Sequence, residues 1–484
     1  MNTIADMKAI GPVRIRGFLP LAVWASLAVA PSFAFAQSSA AAADLEAFLR
    51  AEQERQGIPG IAVAVVSGDA VVWQKGFGIA STEGGASAAA ITPETLFQIG
   101  SLTKTFTATA ILKAASEGRF DLSQPVGKYV SGLTACVGAV TTDQLLRHNA
   151  GLKDEPDEYG PHDETAMLAY AQTWGADYCL LPPGTVYSYS NSGFALAGLA
   201  LQQALGKPYS ALMKELVFDP LGMGRTTFSP TMVMTYPFSL GHRTQPGKPA
   251  AVVRPMADDA RLWPAGEIWT SAAAVARFAI ALMNDGKLGG VQALPAGLFA
   301  QLSKNRAEVP AIEEQYGYGL ALGRYRGLSR LGHGGTMPGF AVQMQMIPER
   351  KLAVVVLTNL ETSDIDPLIA RAFDAFLPAA DAARPQPEIA GGQPARVALP
   401  PDVDRYLGSY TNPRRWTLEI TKNDRQLVLK QFGREFPLEM VDEDRFLFRL
   451  PGRERPVLLV IGPRGQDGAS YAQFYVWTFV RVKG

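Results

Sequence analysis

A serine and a lysine three residues apart form the most suggestive pair in this sequence. Ser101 and Lys104 lie in the stretch FQIGSLTKTF, where an extended segment leads into a helix that we expect to begin at Ser101. Residues three apart on a helix share a face, so the lysine amine can reach the serine hydroxyl. Serine is also a common helix cap, and Ser-x-x-Lys occurs by chance in long chains. The pair alone therefore leaves two interpretations open, a catalytic couple and an ordinary cap.

Nucleophilic catalysis requires more than proximity. A serine hydroxyl needs a base, and a lysine, whose ordinary pKa is about 10.4, is charged at neutral pH unless its surroundings hold it neutral. The positive end of a helix and partial burial both disfavour a charged Lys104. A tyrosine close to that amine could be pushed toward the phenolate form and take the serine proton. A third group of this type would decide between the two interpretations.

Two further motifs downstream supply such a group. SLTK at 101–104, YSN at 189–191 and HGG at 333–335 occur in the order of the three motifs of the penicillin-binding serine hydrolases. They resemble most closely the branch that contains class C β-lactamases, D-aminopeptidases and esterases. Longer stretches extend the resemblance in outline over residues 45–375, among them PPGTVYSYSNSGFALAGLAL and GHGGTMPGFAVQMQMIPERKLAVVVLTN. A second Tyr-x-Asn, at Tyr410 to Asn412, shows how little one motif means by itself.

The resemblance implies a role for each matched side chain. Ser101 would be the nucleophile that forms an acyl-enzyme, and Lys104 would be its activating neighbour. Tyr189 would act as general base in acylation and as acid toward the leaving group. Asn191 would bind a substrate amide or carbonyl group.

The third motif implies an oxyanion hole and contains the main departure from the family. The hole would use the backbone N–H groups of Ser101 and of Thr336, which follows Gly335. β-Lactamases of this branch usually carry lysine where this chain has His333, and a histidine with an ordinary pKa of about 6.5 attracts a substrate carboxylate more weakly or in a pH-dependent way. PAGEIW at 264–269 also differs by one residue from the usual Pro-Ala-Gly-Gly.

These departures shape the expected function. We expect an exported serine hydrolase that cleaves an amide or ester, in D-amino-acid-containing peptides or related small acyl compounds. A β-lactamase and a short-chain carboxylesterase are enzymatic alternatives, and a covalent penicillin-binding sensor or an inactive scaffold is the non-enzymatic one. The acidic segment 154–165 is interpreted as a solvated loop, although at the rim of a cleft it would favour a substrate amine.

Other kinds of chemistry find no support in the sequence. No His-Glu-x-x-His motif and no Cys/His cluster occurs, so we expect neither a metal nor another cofactor. His148 is expected to pack in a turn, and His162 and His242 are expected in loops. The 45 basic and 45 acidic residues balance, which argues against a nucleic-acid partner. The expected partner is a small-molecule or peptide substrate, and the oligomeric state stays open.

The pattern of elements predicts an α/β protein in two folded units. Strand patterns at 61–66, 70–73 and 318–359 enclose helical patterns at 102–117, 192–204 and 271–284, which favours one sheet built from both ends of a domain. With the resemblance, this predicts a β-lactamase/transpeptidase-like fold, an antiparallel sheet flanked by helices plus a helical subdomain, over residues 37–377. A linker rich in Pro, Ala and Gly follows at 378–401. Period-two alternation over 402–484 predicts a small antiparallel β-barrel or sandwich, and we assign a barrel.

The N-terminus has the layout of a secretory signal. Basic residues precede an apolar stretch that ends in PSFAFAQ, which predicts a signal peptide over 1–36; an uncleaved membrane anchor is the alternative. We therefore expect a periplasmic or secreted protein without a stable membrane span. Export would allow Cys136 and Cys179, the two cysteines of the chain, to form a disulfide, and two buried free thiols are the alternative.

Overall fold

A computed structural model describes most of the chain. The described residues are 32–155, 158–245, 247–304, 306–385, 397–412, 414, 416–423, 426–451, 456–462, 464–465 and 468–482. The predicted signal segment lies outside these residues up to position 31, and its last residues open the first helix, α1 (Ser32–Gln56). Among the described residues, no helix is both long and apolar enough to cross a membrane.

An eight-stranded antiparallel sheet organises the larger unit. Its strands are β1 (Gly60–Ser67), β2 (Ala70–Gly78), β3 (Ala307–Val309), β4 (Glu314–Tyr316), β5 (Ala321–Tyr325), β6 (Leu328–Met337), β7 (Phe340–Ile347) and β8 (Leu352–Thr358), in the spatial order β2-β1-β8-β7-β6-β5-β4-β3. Because β1 pairs with β8, the two ends of the unit meet as neighbouring strands of one sheet. The predicted sheet is therefore confirmed, and β6 presents the HGG motif within it.

Both faces of the sheet are covered, which explains why β1 is apolar throughout. Ile61, Val63 and Val65 of β1 pack in a core with α1 and with α5 (Asp366–Phe376). The alternate residues, Ala62 and Ala64 among them, pack in the larger core on the other side. Successive side chains of a strand point to opposite faces of the sheet, so a strand that is covered on both faces is apolar at every position.

The helices of the larger core carry the first two motifs. They are α2 (Thr103–Ser116), α3 (Asn191–Leu205) and α4 (Ala272–Met283), each within about two residues of the predicted bounds. Shorter helices are Ala135–Gly138, Thr142–Leu146, Thr165–Gln172, Tyr209–Met213, Pro230–Val233, Trp263–Gly266, Leu298–Leu302 and Ala379–Ala382. Short strand pairs join Phe97–Gln98 to Trp269–Thr270, His242–Gln245 to Lys248–Val252, Lys287–Leu288 to Val291–Gln292 and Arg464–Gly465 to Gly468–Ala469.

The C-terminal unit is a closed barrel, as the sequence predicts. Its strands are β9 (Gly408–Thr411), β10 (Thr417–Asn423), β11 (Gln426–Gln431), β12 (Arg434–Asp442), β13 (Arg445–Phe448), β14 (Val457–Ile461), β15 (Tyr471–Phe474) and β16 (Trp477–Arg481). Leu418 and Ile420 of β10 are buried while Glu419 between them is exposed. This alternation produced the sequence pattern, because inward positions of a small barrel must be filled by side chains. The linker preceding it lies outside the described residues at 386–396.

A disulfide joins the two cysteines. The sulfurs of Cys136 and Cys179 are bonded, 43 residues apart in the sequence, and tie the helix Ala135–Gly138 to the turn Ala176–Tyr178. We expect the double variant Cys136→Ser/Cys179→Ser to lose about 2–4 kcal/mol of the free energy of unfolding, because the bond restricts the unfolded chain. Urea unfolding with and without reductant measures the loss. Equal stability of the unmodified protein in both conditions would contradict the prediction.

Candidate active site

Ser101 lies in a 3₁₀ turn immediately before α2. The turn Gly100–Leu102 follows the short strand Phe97–Gln98, and neither the turn nor α2 has a side-chain cap at its start. The helix-cap interpretation of Ser101 is therefore wrong. Lys104, in the first turn of α2, is completely buried, and its Nζ lies 3.1 Å from Ser101 Oγ.

The partners of Lys104 suit an uncharged amine. Nζ donates hydrogen bonds to Asn191 Oδ1 and to the carbonyl oxygen of Ala265, both at 2.7 Å, and neither oxygen can donate in return. Burial lowers the pKa of Lys104 well below its usual value, against the opposing charge of Asp154. A neutral amine has two N–H groups and one lone pair. In the neutral form, which burial favours, both N–H groups are engaged by these two oxygens and the lone pair is left to accept a hydrogen bond from the Ser101 hydroxyl.

Tyr189 completes the group but stays in its protonated form. The Lys104 Nζ lies 4.8 Å from the centre of the Tyr189 ring. Burial raises the pKa of Tyr189 above its usual value, although a hydrogen bond with the Ser101 hydroxyl works in the opposite direction. The expected shift of this tyrosine toward phenolate is therefore not found, because burial moves its pKa in the opposite direction. The phenol is suited to donate a proton rather than to take one in the resting state.

The backbone of β6 lies directly against the serine turn. A Cβ at Gly335 would come within 2.0 Å of the Ile99 carbonyl oxygen and 3.0 Å of the Ser101 nitrogen. A Cβ at Gly100 would lie 2.7 Å from the Thr336 nitrogen, and Gly100 has a positive φ of 51°. Only glycine at both places permits this approach. The N–H groups of Ser101 and Thr336 are thereby brought together beside the serine hydroxyl, as an oxyanion hole requires.

His333 is buried and neutral. Its Nδ1 faces the carbonyl oxygen of Gly334, so it carries the proton, and Nε2 accepts a hydrogen bond of 2.8 Å from the Tyr316 hydroxyl. Burial and, secondarily, the neighbouring Lys104 amine lower the pKa of His333 to about 3. His333 therefore supplies no positive charge for a substrate carboxylate at neutral pH.

The low pKa of His333 predicts a loss of stability in acid. The unfolded chain takes up the proton near the ordinary histidine pKa of 6.5, whereas the folded state resists it down to about 3, so the free energy of unfolding should fall as pH drops between these values. We expect His333→Gln to weaken this dependence, measured by urea unfolding at pH 7 and pH 4.5. Replacement of the exposed His162 by glutamine is the control. An unchanged pH dependence in His333→Gln would contradict the assignment.

His148 packs against Tyr189, a contact that sequence reasoning missed. It lies in a turn, as expected, with a positive φ of 56°, and its Nδ1 accepts the Ser190 N–H at 3.0 Å. Its ring centre lies 4.3 Å from that of Tyr189. Burial lowers the pKa of His148 well below its usual value, so the ring acts as a neutral support. The available signal was a histidine within the predicted turn HNAGL, since histidine is one of the non-glycine residues enriched at positive φ.

Asp154 also departs from expectation, because it is completely buried rather than solvated. Its Oδ1 accepts the N–H groups of Asn191 and Ser192, at 2.7 and 3.1 Å, at the first turn of α3. Its Oδ2 accepts Nε of Arg414, from the barrel, at 3.2 Å. The solvated-loop interpretation therefore fails at Asp154, whereas Glu158 of the same segment lines the cleft described below.

The barrel contacts the second motif through its backbone. The Tyr189 N–H donates to the carbonyl oxygen of Val476 at 2.9 Å. The Tyr187 carbonyl oxygen accepts hydrogen bonds from Gln473 and Thr478, at 2.9 and 2.7 Å. The segment that carries Tyr189 is therefore held between α3 and the barrel.

A cleft of about 740 Å³ opens in front of this group. Ser101, Tyr189, Asn191, His333 and Thr336 all line it, and so do barrel residues. Its volume is in the range of small-molecule sites. The structure thus brings together every residue that the resemblance matched.

The PAGEIW segment forms the back of the site. Its Ala265 carbonyl anchors Lys104, and Glu267, 2% exposed, accepts a hydrogen bond from Gln98. Burial, reinforced by Asp258 and Asp259, raises the pKa of Glu267 well above its usual value. The residue that replaces the family's second glycine is therefore a buried acid beside the serine turn, in surroundings that favour its uncharged form.

The remaining candidates lie elsewhere. Tyr410 is buried in the barrel and donates to the Tyr406 carbonyl oxygen, so the second Tyr-x-Asn is structural. His242 begins a short strand instead of lying in a loop, and its Nε2 accepts the Thr82 N–H. Within the part of the chain that the structure describes, no group of three or more His, Cys, Asp or Glu side chains could hold a metal ion.

A sheet between helices, with a Ser-x-x-Lys pair at the start of a buried helix, is the arrangement found in the serine hydrolases related to penicillin-binding proteins. The family described as Beta-lactamase matches residues 45–376. Penicillin-binding protein 4 of Amycolatopsis lactamdurans is 25% identical, with 62% of this chain and 81% of that protein covered. Unguisins hydrolase ungD of Aspergillus violaceofuscus is 26% identical over 62% of this chain, which spans only 58% of that hydrolase.

Solved structures extend the likeness to the barrel. The crystal structure of SurE superimposes with a TM-score of 0.74 at 24% identity, covering 93% of this chain and all of that one. The chain belongs to the β-lactamase family, among the serine hydrolases related to penicillin-binding proteins.

Proposed function

We propose that this protein is a serine hydrolase that forms an acyl-enzyme on Ser101 and cleaves an amide or ester bond in D-amino-acid-containing peptides or related small acyl compounds. The observation that carries the proposal is the geometry of Lys104. Its two N–H groups are engaged by Asn191 and Ala265, and its amine lies 3.1 Å from Ser101 Oγ. Neither a helix-capping serine nor an ordinary surface lysine would require a buried amine with these contacts.

Acylation follows from these contacts. The Lys104 lone pair takes the Ser101 proton while Oγ attacks the substrate carbonyl carbon. The oxygen of the tetrahedral intermediate gains negative charge and faces the Ser101 and Thr336 N–H groups. As the bond to the leaving group breaks, Tyr189 protonates the leaving nitrogen or oxygen and regains a proton from the Lys104 ammonium. The serine proton has then moved to the leaving group.

Deacylation repeats the sequence with water. Water attacks the ester on Ser101 and gives one proton to the amine, and the same N–H groups hold the oxyanion. Collapse of the intermediate releases the acid and returns the proton to Oγ. The base in this scheme is Lys104 rather than Tyr189, because the pKa of Tyr189 is raised.

The substrate preference rests on His333. A neutral histidine at this position withholds the permanent cation that β-lactamases of this branch place there, which favours peptidase, amidase or esterase action. β-Lactamase activity is the second enzymatic candidate, supported by the family match. A covalent penicillin-binding sensor would share the acylation step and lack turnover.

A turnover panel tests the proposal. The substrates are a D-aminoacyl anilide, a short-chain aryl ester and a chromogenic cephalosporin, each with Ser101→Ala as control and Tyr189→Phe as a probe of the acid. We expect turnover of the first two and none by Ser101→Ala. Activity that survives in Ser101→Ala would overturn the mechanism, and faster cephalosporin turnover would favour the β-lactamase. Stable acylation without turnover, seen by mass spectrometry, would favour the sensor.

Export to the periplasm or the medium is part of the proposal. It is supported by the signal-like N-terminus and by the Cys136–Cys179 bond, since disulfides persist in oxidising compartments. Cell fractionation with N-terminal sequencing tests it. A cytoplasmic protein that retains residues 1–36 would contradict it.

A further inference from the structure

Arg414 brings a guanidinium group from the barrel into the catalytic cleft. Arg414 and Trp477 line the cleft together with Ser101, Tyr189 and Asn191. The guanidinium carbon lies 5.6 Å from the centre of the Trp477 ring. A residue from the second unit thus forms part of the wall around the reacting serine.

Arg414 is anchored by one edge only. Its Nε donates to Asp154 Oδ2 at 3.2 Å, and Asp154 in turn accepts the N–H groups of Asn191 and Ser192. The two terminal nitrogens of Arg414 donate to no other residue that the structure describes. The anchor places the guanidinium beside the YSN motif and leaves two donors in the planar arrangement that suits a carboxylate.

The other basic groups of the cleft are neutral, buried or already paired with a carboxylate. His333 is neutral, and Lys104 is buried and engaged by Asn191 and Ala265. Arg243 is held by Glu361 through Nε and Nη2, at 2.8 and 2.7 Å. Among the described residues that line the cleft, Arg414 is the cation with neither terminal nitrogen engaged, whereas Arg243 already shares Nε and Nη2 with Glu361.

The carboxylates of the cleft belong mostly to other segments. Glu361, Asp364 and Asp366 follow β8, and Glu158 comes from the acidic segment. Burial raises the pKa of Glu267 well above its usual value, which favours its uncharged form. Arg414, by contrast, is tied through Asp154 to the first residues of α3. The positive charge is therefore next to the catalytic motif and separate from those acidic segments in the chain.

We propose that Arg414 binds a carboxylate of the substrate through its terminal nitrogens. In this chain the barrel would supply the charged specificity residue that the HGG motif lacks. The inference rests on the proposed hydrolase function and names its substrate class: amides or esters with a free carboxylate near the scissile bond.

Matched substrates test the proposal. The pair is an aryl ester with a carboxylate on its leaving group and the methyl ester of that carboxylate. We expect Arg414→Gln to raise KM for the carboxylate substrate by about tenfold or more, the usual effect of losing a charge-assisted hydrogen bond, and to leave the methyl ester nearly unchanged. Arg414→Lys should recover part of the loss. Arg445→Gln is the matched control, since Arg445 forms another ion pair between barrel and sheet unit, with Glu313.

A purely structural role gives a different result. Arg414→Gln leaves Asp154 without its cation, so the double variant Asp154→Asn/Arg414→Gln, which removes both charges, is measured as well. If Arg414→Gln lowers kcat equally for the carboxylate ester and its methyl ester, or raises KM equally for both, Arg414 acts by positioning Asp154. The proposal is then overturned.

A binding measurement separates this proposal from the proposed function. Calorimetry with the Ser101→Ala protein compares the two intact esters, which this variant should not cleave. Tighter binding of the carboxylate ester that disappears in Ser101→Ala/Arg414→Gln supports Arg414 even if the unmodified protein shows no turnover. Equal binding of both esters overturns the carboxylate site, whether or not turnover is seen.

Discussion

Replacement of Lys104 by methionine is expected to lower kcat/KM by about a thousandfold, within the range typical of losing a general base. Methionine fills a similar volume, so the packing of α2 is kept while the lone pair near Ser101 Oγ is lost. The KM should change less than kcat, because Lys104 acts on the serine proton and is covered from solvent. Steady-state kinetics on the aryl ester measures both constants.

A second lysine of the same helix provides the control. Lys113 is half-buried in α2 and donates to the Leu216 carbonyl oxygen at 3.1 Å, away from the catalytic group. Lys113→Met should retain nearly full activity. A Lys104→Met protein that keeps more than a tenth of the activity would show that another group takes the serine proton, and Tyr189 would then be the candidate.

Replacement of Asp154 by alanine is expected to have the largest effect on stability. The free energy of unfolding should fall by about 3–5 kcal/mol, because two N–H groups would be left without an acceptor, at about 1–3 kcal/mol each, and an ion pair would be lost as well. Here Arg414 would lose its anion, and the N–H groups of Asn191 and Ser192 would lose their acceptor. Activity should fall too, since Asn191 holds the Lys104 amine.

Two comparisons make this prediction specific. Asp154→Asn keeps an acceptor oxygen and should lose less stability than Asp154→Ala. Asp219→Ala removes an exposed ion pair with Lys214 and should cost at most about 1 kcal/mol, as exposed pairs do. Urea unfolding of the three variants gives the order. A loss in Asp154→Ala no larger than in Asp219→Ala would mean that the buried pair contributes little.

Much of the site was predictable because its residues follow from local spacing along the chain or from backbone conformations that only some residue types allow. Ser101 and Lys104 meet because three positions separate them at a helix start. Gly335 could be expected at a close backbone approach, since only glycine leaves room there. The alternation in β10 indicated a strand with one buried face.

Protonation states could not be predicted in the same way. His333 was visible as a histidine, but its pKa depends on burial and on a Tyr316 hydroxyl 17 positions away. Tyr189 was expected to approach phenolate, whereas burial moves its pKa in the other direction. Desolvation depends on the packing of many segments, and no short sequence pattern records it.

The chain's own residue order thus accounts for the sheet, the barrel, the serine–lysine pair and the family to which they belong, because each follows from periodicity or from motifs read along the chain. Asp154 and Arg414 were beyond that reach: 260 positions separate them, and each resembles an ordinary surface residue in its own segment. They meet because the barrel packs against the YSN motif. Folding alone makes that contact and withdraws Asp154 from the water that would otherwise screen its charge.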